Sequence, residues 1–302
     1  RRSMAVTAVW ALLALASAAA GAPHRNYGFK RNDNLKGILG GPDPSPDLLA
    51  FPSFALQSLP EAFDWRNVNG ANYVVADVQQ HTPVYCGSCW LHGTVAMLND
   101  RIKIARRAAF PDVMLSRQAL INCAPRTDDN GTVQVGFNGC DGGDEKDVWR
   151  MLLERGIPDE TCLPYEARNH TCDMQQLCRN CMPRMDDPSV RECFAVRPYV
   201  EYKVASWKVV TTPEMDTGAR EVAMMSEIFR DGPIVCELAA TPEFDAEYGA
   251  NAAKHGGVFV SDYTPSREEI NHDVEVAGWG VTDDGLKYWV ARNSWGTFWG
   301  EG

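Results

Sequence analysis

The sequence predicts an α+β fold in two lobes, one mostly helical and one rich in strands. Three runs in the first half of the chain carry apolar residues at helical spacing, and they follow Ser88, Ser116 and Asp144. From about residue 199 the pattern changes to short β-branched and aromatic runs of alternating polarity. Because the three helical runs are close in sequence, we expect a helical lobe at roughly 86–198 and a sheet-rich lobe at roughly 199–302.

The helical runs have recognisable ends. Ser88 is in position to cap the run WLHGTVAMLNDRIKIARR, which would place the Cys89 sulfur at a helix N-terminus, where the partial positive charge favours a thiolate. Ser116 starts the helical stretch SRQALINC. Asp144 is expected to cap EKDVWRMLLERG, which ends at Gly156 as a C-terminal glycine should.

The second lobe combines one helix with several strands. TGAREVAMMSEIFRDG has helical spacing, whereas PIVCELAA, GGVFVSDY, HDVEVAGWG and LKYWVARN have the composition of strands. The insertions that we expect at 182–192 and 249–255 lengthen the chain between the motifs discussed below.

Composition is that of a globular chain, with 302 residues, 45% of them hydrophobic, and a formal net charge of −11. No basic stripe is present, which argues against a nucleic-acid partner. Ten cysteines indicate an oxidising compartment.

The N-terminal 20 residues are predicted to be a signal peptide. Two arginines precede a short apolar run at 5–15 and a small-residue cleavage site at 18–20. The run is too short to span a bilayer, although a signal anchor is an alternative, and no later segment could cross a membrane. Residues 21–58 are rich in Pro, Gly and Asn without a period, which fits a short propeptide or a linker.

The stretch QQHTPVYCGSCWLH at 79–92 contains the most informative motif, Cys86-Gly-Ser-Cys89-Trp. Alone, it could be a structural cysteine pair or half of a zinc site. Two downstream segments, NHDVEVAGWG and YWVARNSWG, complete a pattern in which the three segments together resemble the papain-like cysteine proteases. The resemblance covers a peptidase domain at 59–302 with the active-site cleft between its lobes.

The resemblance implies the roles of the site residues. Cys89 is the nucleophile, His272 the base that forms a thiolate–imidazolium pair with it, and Asn293 the residue that orients the imidazole. Trp295 is expected to shield the His272–Asn293 hydrogen bond, and Gly142 and Gly143 support the cleft. No cofactor and no metal ion are expected.

The family's oxyanion-hole glutamine usually lies six residues before the nucleophile, where this chain has Pro83. The candidates are Gln79 and Gln80, and we choose Gln80. The extra residues at 81–85 form an inserted loop like that of the cathepsin X (cathepsin Z) branch. By this resemblance, His81 and Tyr85 bind the terminal carboxylate of a substrate. Alternatively, His81 is an exposed loop residue of an endopeptidase.

The resemblance also suggests the disulfides Cys86–Cys140 and Cys123–Cys172 and, from the same branch, Cys162–Cys178 and Cys181–Cys193. Cys178 and Cys181 could instead be half of a zinc knuckle. Cys236 is then left unpaired, and we expect that the sequence is incomplete at its C-terminus.

Three polar features remain. Asn130 and Asn169 begin glycosylation sequons. Asp273 and Glu275 are acids on the strand of His272, where relatives have apolar or small residues. If their face of the strand is buried, each needs a partner or a raised pKa; if it faces the cleft rim, they could alter the basicity of His272.

The resemblance therefore implies a monomeric cysteine-type carboxypeptidase of the lysosome, vacuole or extracellular space. Its partners are peptides and proteins with a free C-terminus and cysteine-protease inhibitor proteins. An endopeptidase of the same family and a catalytically silent binding protein on a protease scaffold are the alternatives.

Overall fold

The computed structural model describes residues 59–127, 132–134 and 139–302. The predicted signal peptide (1–20), the predicted propeptide (21–58) and Asn130 lie outside these residues. The α+β fold is confirmed. The helices are α1 (Cys89–Ala105), α2 (Arg117–Cys123), α3 (Glu145–Glu154), α4 (Thr217–Asp231), α5 (Pro242–Ala246) and α6 (Tyr248–Ala252). The strands are β1 (Phe63–Asp64), β2 (Arg126–Thr127), β3 (Val133–Gln134), β4 (Arg179–Pro183), β5 (Arg191–Ala195), β6 (Ile234–Leu238), β7 (His272–Val281) and β8 (Lys287–Arg292).

The helical core forms around α1, whose first twelve residues are all buried. The helices α2 and α3 pack against it through large apolar side chains, among them Leu91, Val95, Leu120, Met151 and Leu152. Both helices begin where the sequence predicts, because the Ser116 and Asp144 side chains accept hydrogen bonds from the backbone N–H groups of Ala119 and Lys146. Gly156, just beyond α3, has a φ of +75°, which favours glycine.

The segment 179–195 departs from the helical character expected of its lobe. It forms an antiparallel hairpin, β4–β5, in which Cys181 lies directly opposite Cys193 and is joined to it by a disulfide. Most of its side chains are exposed. The insertion at 182–192 is therefore a surface hairpin attached to the helical lobe.

The second lobe is organised around the long strand β7. Residues 272–276 of β7 pair with β6, residues 278–279 pair with β1, and residues 275–281 pair with β8, all antiparallel. The helix α1 packs against β7, and α4 also contacts it. Because both faces are covered, all ten residues of β7 except the last are buried.

The predicted strand at 256–263 is wrong. Gly256 and Gly257 have φ values of +66° and +93°, which turn the chain away from an extended path. The ring of Phe259 stacks on Tyr248 of α6 and contacts Phe244 of α5. The apolar side chains of the segment 256–263 thus pack in a local aromatic cluster. Their composition resembles that of a strand, although the segment does not form one.

The two lobes meet at a small apolar cluster that contains the predicted nucleophile. Cys89, Ala240 and Trp295 are buried there, and Leu238, Phe244, Ile270 and Trp299 pack against them. In the part of the chain that the structure describes, no helix is both long and apolar enough to cross a membrane.

Candidate active site

Cys89 is the first residue of α1, and its side chain is fully buried. Its own backbone N–H and that of Trp90 favour the thiolate, as expected at a helix N-terminus. The backbone N–H of Asp273 has the same effect. The sulfur therefore lies where the start of α1 meets the start of β7, whose first residue is His272.

Ser88 occupies the N-cap position, but its side chain makes no capping hydrogen bond. The Ser88 hydroxyl instead contacts His92 Nδ1 at 3.2 Å and the Tyr165 hydroxyl at 2.9 Å. Ser88 is therefore the N-cap residue of α1, as predicted, but its side chain does not provide the capping hydrogen bond that the prediction implied. His92 packs edge-on against Tyr165 within this buried group.

His272 is oriented as the resemblance implies. Its Nε2 lies 2.8 Å from Asn293 Oδ1, so Nε2 carries the proton and donates it to the amide oxygen. The Trp295 ring lies over the imidazole with the centroids 4.8 Å apart. Since His272 is fully buried and Trp295 is 4% exposed, the hydrogen bond is shielded from water.

The buried site favours uncharged forms of both groups. Burial, with the Asp273 carboxyl as a second cause, raises the pKa of the Cys89 thiol well above its usual value. Burial lowers the pKa of His272 to about 4, although the hydrogen bond to Asn293 opposes the shift. Burial of both groups thus opposes the charged pair that the resemblance implies, whereas the N–H groups at the start of α1 and the hydrogen bond to Asn293 favour it.

The two candidate glutamines occupy different environments. Gln80 is fully buried, where its Nε2 donates to Cys86 O at 3.0 Å and its Oε1 accepts from the Ser294 hydroxyl at 2.7 Å. The Gln79 side chain donates to Trp295 O at 2.7 Å. Gln80 is thus fixed between the segment that leads to Cys89 and the residue after Asn293.

The loop at 81–85 lies beside His272. The His81 and Tyr85 rings stack with centroids 4.8 Å apart and planes 5° apart, and the Thr82–Pro83 peptide bond within the loop is cis. His81 is close enough to His272 to lower its pKa. Tyr85 is 64% exposed, so the stacked pair has one solvent-facing member.

Asp245 of α5 is a member of the site that sequence reasoning missed. Its carboxylate raises the pKa values of both His81 and His272, against the larger effect of burial. In the sequence, Asp245 is only an acidic residue in a short helical segment. Its distance along the chain from residues 81 and 272 does not indicate that it lies near them.

Asp273 and Glu275 are both fully buried, so their face of β7 is the buried one of the two expected alternatives and does not lie at the cleft rim. Burial, with neighbouring carboxyl groups as further causes, raises the pKa of Asp273 well above its usual value. Neither carboxyl oxygen of Asp273 has a hydrogen-bond partner among the described residues.

Glu275 belongs to a buried ion network that the sequence did not reveal. Arg292, which pairs with Glu275 in the β7–β8 ladder, donates to Glu275 at 2.6 Å and to Asp100 of α1 at 2.7 Å. Arg292 also donates to Val75 O at 2.7 Å. Because Asn293 follows Arg292, this network fixes the backbone that carries the amide bonded to His272.

The two predicted cleft glycines follow Cys140, and both are buried. Gly142 has a φ of +101°. A Cβ on Gly143 would lie 2.6 Å from the Trp90 ring, so a larger residue cannot be accommodated without movement. The turn therefore packs so closely against α1 that glycine is needed at position 143.

The structure contains the four disulfides that the resemblance implies: Cys86–Cys140, Cys123–Cys172, Cys162–Cys178 and Cys181–Cys193. Neither a Cys86–Cys89 pair nor a zinc knuckle at Cys178 and Cys181 is compatible with these bonds. Cys236 is a free thiol whose pKa burial raises to about 12. Asn169 is exposed, and its Oδ1 accepts from the Cys140 N–H at 2.9 Å.

Comparison with known proteins agrees with this geometry. The family described as papain family cysteine protease matches residues 59–302. Cathepsin Z of Onchocerca volvulus is 37% identical over 82% of this chain and 70% of its own length. Cysteine endopeptidase Rep1 of Oryza sativa subsp. japonica is 30% identical over 85% of this chain and 56% of its own length.

Among solved structures, a recombinant stem bromelain precursor superposes with a TM-score of 0.55 at 24% identity, covering 83% of this chain and 64% of the precursor. The chain thus spans less than two thirds of the bromelain precursor and of the rice endopeptidase. The bromelain likeness supports the fold, and the family match covers the whole peptidase region. The chain belongs to the papain family of cysteine proteases.

Proposed function

We propose that this protein is a cysteine-type carboxypeptidase that removes C-terminal residues from peptides and proteins. The observation that carries the proposal is the stacked His81–Tyr85 pair beside His272. A carboxypeptidase needs a cationic or hydrogen-bonding group at the position of the substrate α-carboxylate, and it needs an obstacle to longer chains. The 81–85 loop supplies both next to the reacting groups.

His272 Nδ1 takes the thiol proton of Cys89, because Nε2 is engaged with Asn293, and this transfer forms the thiolate–imidazolium pair. The thiolate attacks the scissile carbonyl carbon. The resulting imidazolium protonates the leaving amine, and the acyl group stays on sulfur as a thioester. His272 then activates a water molecule, which hydrolyses the thioester and restores the thiol.

The oxyanion of each tetrahedral intermediate needs donors that are already in place. The Cys89 backbone N–H is one such donor. Gln80 is the other in this proposal, because its amide is buried and held by Cys86 and Ser294 on opposite sides.

The carboxylate clamp depends on the charge of His81. Burial lowers its pKa below the ordinary 6.5, while Asp245 opposes that shift. A bound substrate carboxylate favours the imidazolium further, so the clamp is strongest in mildly acidic solution. The four disulfides suit the oxidising path to a lysosome, a vacuole or the cell exterior.

An endopeptidase is the second candidate, since the similar rice protein is named an endopeptidase. A silent binding scaffold is a third. It is disfavoured by the hydrogen bond between His272 and Asn293 and by the position of Cys89 at the start of α1, features for which a binding role has no use.

The deciding experiment compares two versions of one peptide at about pH 5, one ending in a free carboxylate and one in an amide, with products followed by mass spectrometry. Loss of single residues from the free acid alone supports the carboxypeptidase. Internal cleavage of both peptides at similar rates indicates an endopeptidase. No cleavage, together with no labelling of Cys89 by an epoxide inhibitor, indicates the silent scaffold.

The His81→Ala variant tests the clamp itself. Loss of one hydrogen bond to a charged group costs about 2 kcal/mol, so kcat/KM for the free acid should fall about 30-fold. Val84→Ala, a change at a half-exposed position in the same loop, is the matched control and should leave the rate unchanged.

A further inference from the structure

A small cavity lies next to Asn293, where α1 faces the end of β8. It is lined by the segments 76–78 and 292–294, by His92 of α1 and by Arg117 of α2. The space inside it that a water molecule can occupy is about 10 Å³, which corresponds to one water-sized sphere. The cavity therefore has room for a single small ligand.

Three residues that line this cavity each have a buried polar atom without a hydrogen-bond partner among the described residues. These atoms are His92 Nε2, Arg117 Nε and Asn293 Nδ2. His92 and Arg117 are each 1% exposed. Buried polar groups in folded proteins are almost always hydrogen-bonded, either to protein or to ordered water. Three such atoms on the lining residues of one cavity point to a shared ligand.

The other hydrogen bonds of Asn293 and Arg117 show that these two residues supply donors. Asn293 Oδ1 accepts from the His272 ring at 2.8 Å and from the Ser294 N–H at 2.7 Å. Because a backbone N–H can only donate, this oxygen is correctly placed and the opposite atom is the NH₂ group. Arg117 uses Nη1 to bind Glu160 at 2.8 Å, which leaves its Nε–H as a second donor.

His92 supplies an acceptor. Its Nδ1 lies 2.9 Å from Ser88 O, and because a carbonyl oxygen can only accept, Nδ1 carries the proton. Burial, with the charge of Arg117 as the second cause, lowers the pKa of His92 well below its ordinary value. The ring is therefore neutral in mildly acidic solution, and Nε2 keeps its lone pair.

A water molecule is the small ligand that fits two donors and one acceptor. It can accept from Arg117 Nε and Asn293 Nδ2 and donate to His92 Nε2, which gives the roughly three hydrogen bonds that a buried water typically makes. An anion such as chloride cannot donate to His92. It would also be repelled by Asp77, which lines the same cavity and lies 4.0 Å from Arg292 Nε. A metal cation would be repelled by the two N–H donors and by the charge of Arg117.

We propose that one water molecule, bound by His92, Arg117 and Asn293, holds the Asn293 amide with its oxygen toward His272. His92 is then a positioning residue, because through the water it fixes the amide that keeps the His272 proton on Nε2 and leaves Nδ1 as the base for the Cys89 thiol. The inference rests on the proposed function only in requiring that Cys89 and His272 react as a pair.

Two substitutions of His92 separate the roles of its two ring nitrogens. The amide of His92→Gln can place an acceptor at the position of Nε2, whereas that of His92→Asn reaches only the position of Nδ1, where it can donate to Ser88 O. Loss of one neutral hydrogen bond should slow the labelling of Cys89 by an uncharged epoxide inhibitor about 3- to 10-fold in His92→Asn. His92→Gln should recover most of that rate. A His92→Gln variant no faster than His92→Asn, or a His92→Asn variant as fast as the wild type, would overturn the proposal.

The pH dependence of labelling distinguishes positioning from a loss of folding. The hydrogen bond to Asn293 raises the pKa of His272, so a loosened Asn293 amide should lower that pKa. The alkaline limb of the labelling profile, which reports loss of the imidazolium, should move to lower pH by about 0.5–1 unit in His92→Asn and stay in place in His92→Gln. His81 and Asp245, the charged groups that also act on His272, are the same in both variants. A profile that falls in height without moving would indicate a structural role only and would contradict the proposal.

A crystal structure of the wild type locates the water directly. A peak of solvent density is expected within about 3.2 Å of His92 Nε2, Arg117 Nε and Asn293 Nδ2. A dry cavity, or anomalous scattering at this place in a crystal soaked with bromide, would overturn the assignment to water.

The outcome is separable from that of the carboxypeptidase test, since epoxide labelling does not depend on how a substrate ends. Equal cleavage of free-acid and amide peptides rejects the carboxypeptidase and keeps the water site. Fast labelling of His92→Asn with an unmoved pH profile rejects the water site alone. Failure of the epoxide to label Cys89 in the wild type rejects both.

Discussion

Removing the cation from the buried Arg292 network should destabilise the fold strongly. The Arg292 side chain is 13% exposed, whereas Asp100 and Glu275 are fully buried. Arg292→Met keeps most of the apolar stem but leaves two buried carboxyl groups without their cation. Breaking such a buried pair costs about 3–5 kcal/mol. For a chain of this size each kcal/mol lowers Tm by about 2–4 °C, so we expect a decrease of about 6–20 °C.

The pH dependence gives this prediction a distinctive sign. Burial already raises the pKa values of Asp100 and Glu275 in the presence of Arg292. In the variant those folded-state values rise further above the unfolded ones, so the folded state binds more protons than the unfolded state and gains stability as the pH falls. The deficit in Tm should therefore be smaller at pH 5 than at pH 7.5.

Thermal unfolding of the wild type and the variant at both pH values measures the effect. The control is Lys287→Met, which breaks a pair between the 70% exposed Lys287 and Glu221, and surface pairs contribute only about 0–1 kcal/mol. If Arg292→Met lowers Tm no more than this control, or lowers it equally at both pH values, the reasoning about the network is refuted.

Two further predictions follow from the site. Asn293→Ala removes the 2.8 Å hydrogen bond to His272, so kcat should fall about 10- to 100-fold with Tm nearly unchanged; a drop in Tm that matches the loss would indicate a merely structural role. Gly143→Ala places a Cβ 2.6 Å from the Trp90 ring and should cost about 1–3 kcal/mol in thermal unfolding, whereas an unchanged Tm would show that the turn can move.

Local signals in the sequence located much of the fold. Ser116 and Asp144 start their helices with side chains that satisfy backbone donors, so three or four neighbouring residues contain the information. Ser88 shows the limit of that rule, since a partner 77 residues away, Tyr165, engages its hydroxyl. The run at 256–263 has the composition of a strand but packs on α5 and α6, because apolar character specifies burial and not the partner.

The residues proposed as catalytic could be named from motifs, but their electrostatic environment could not. Arg292 and Asp100 lie 192 positions apart in the chain and meet only because α1 packs against the sheet. Whether Asp273 faces solvent or protein depends on how α1 packs against β7, which the alternation of one strand does not reveal.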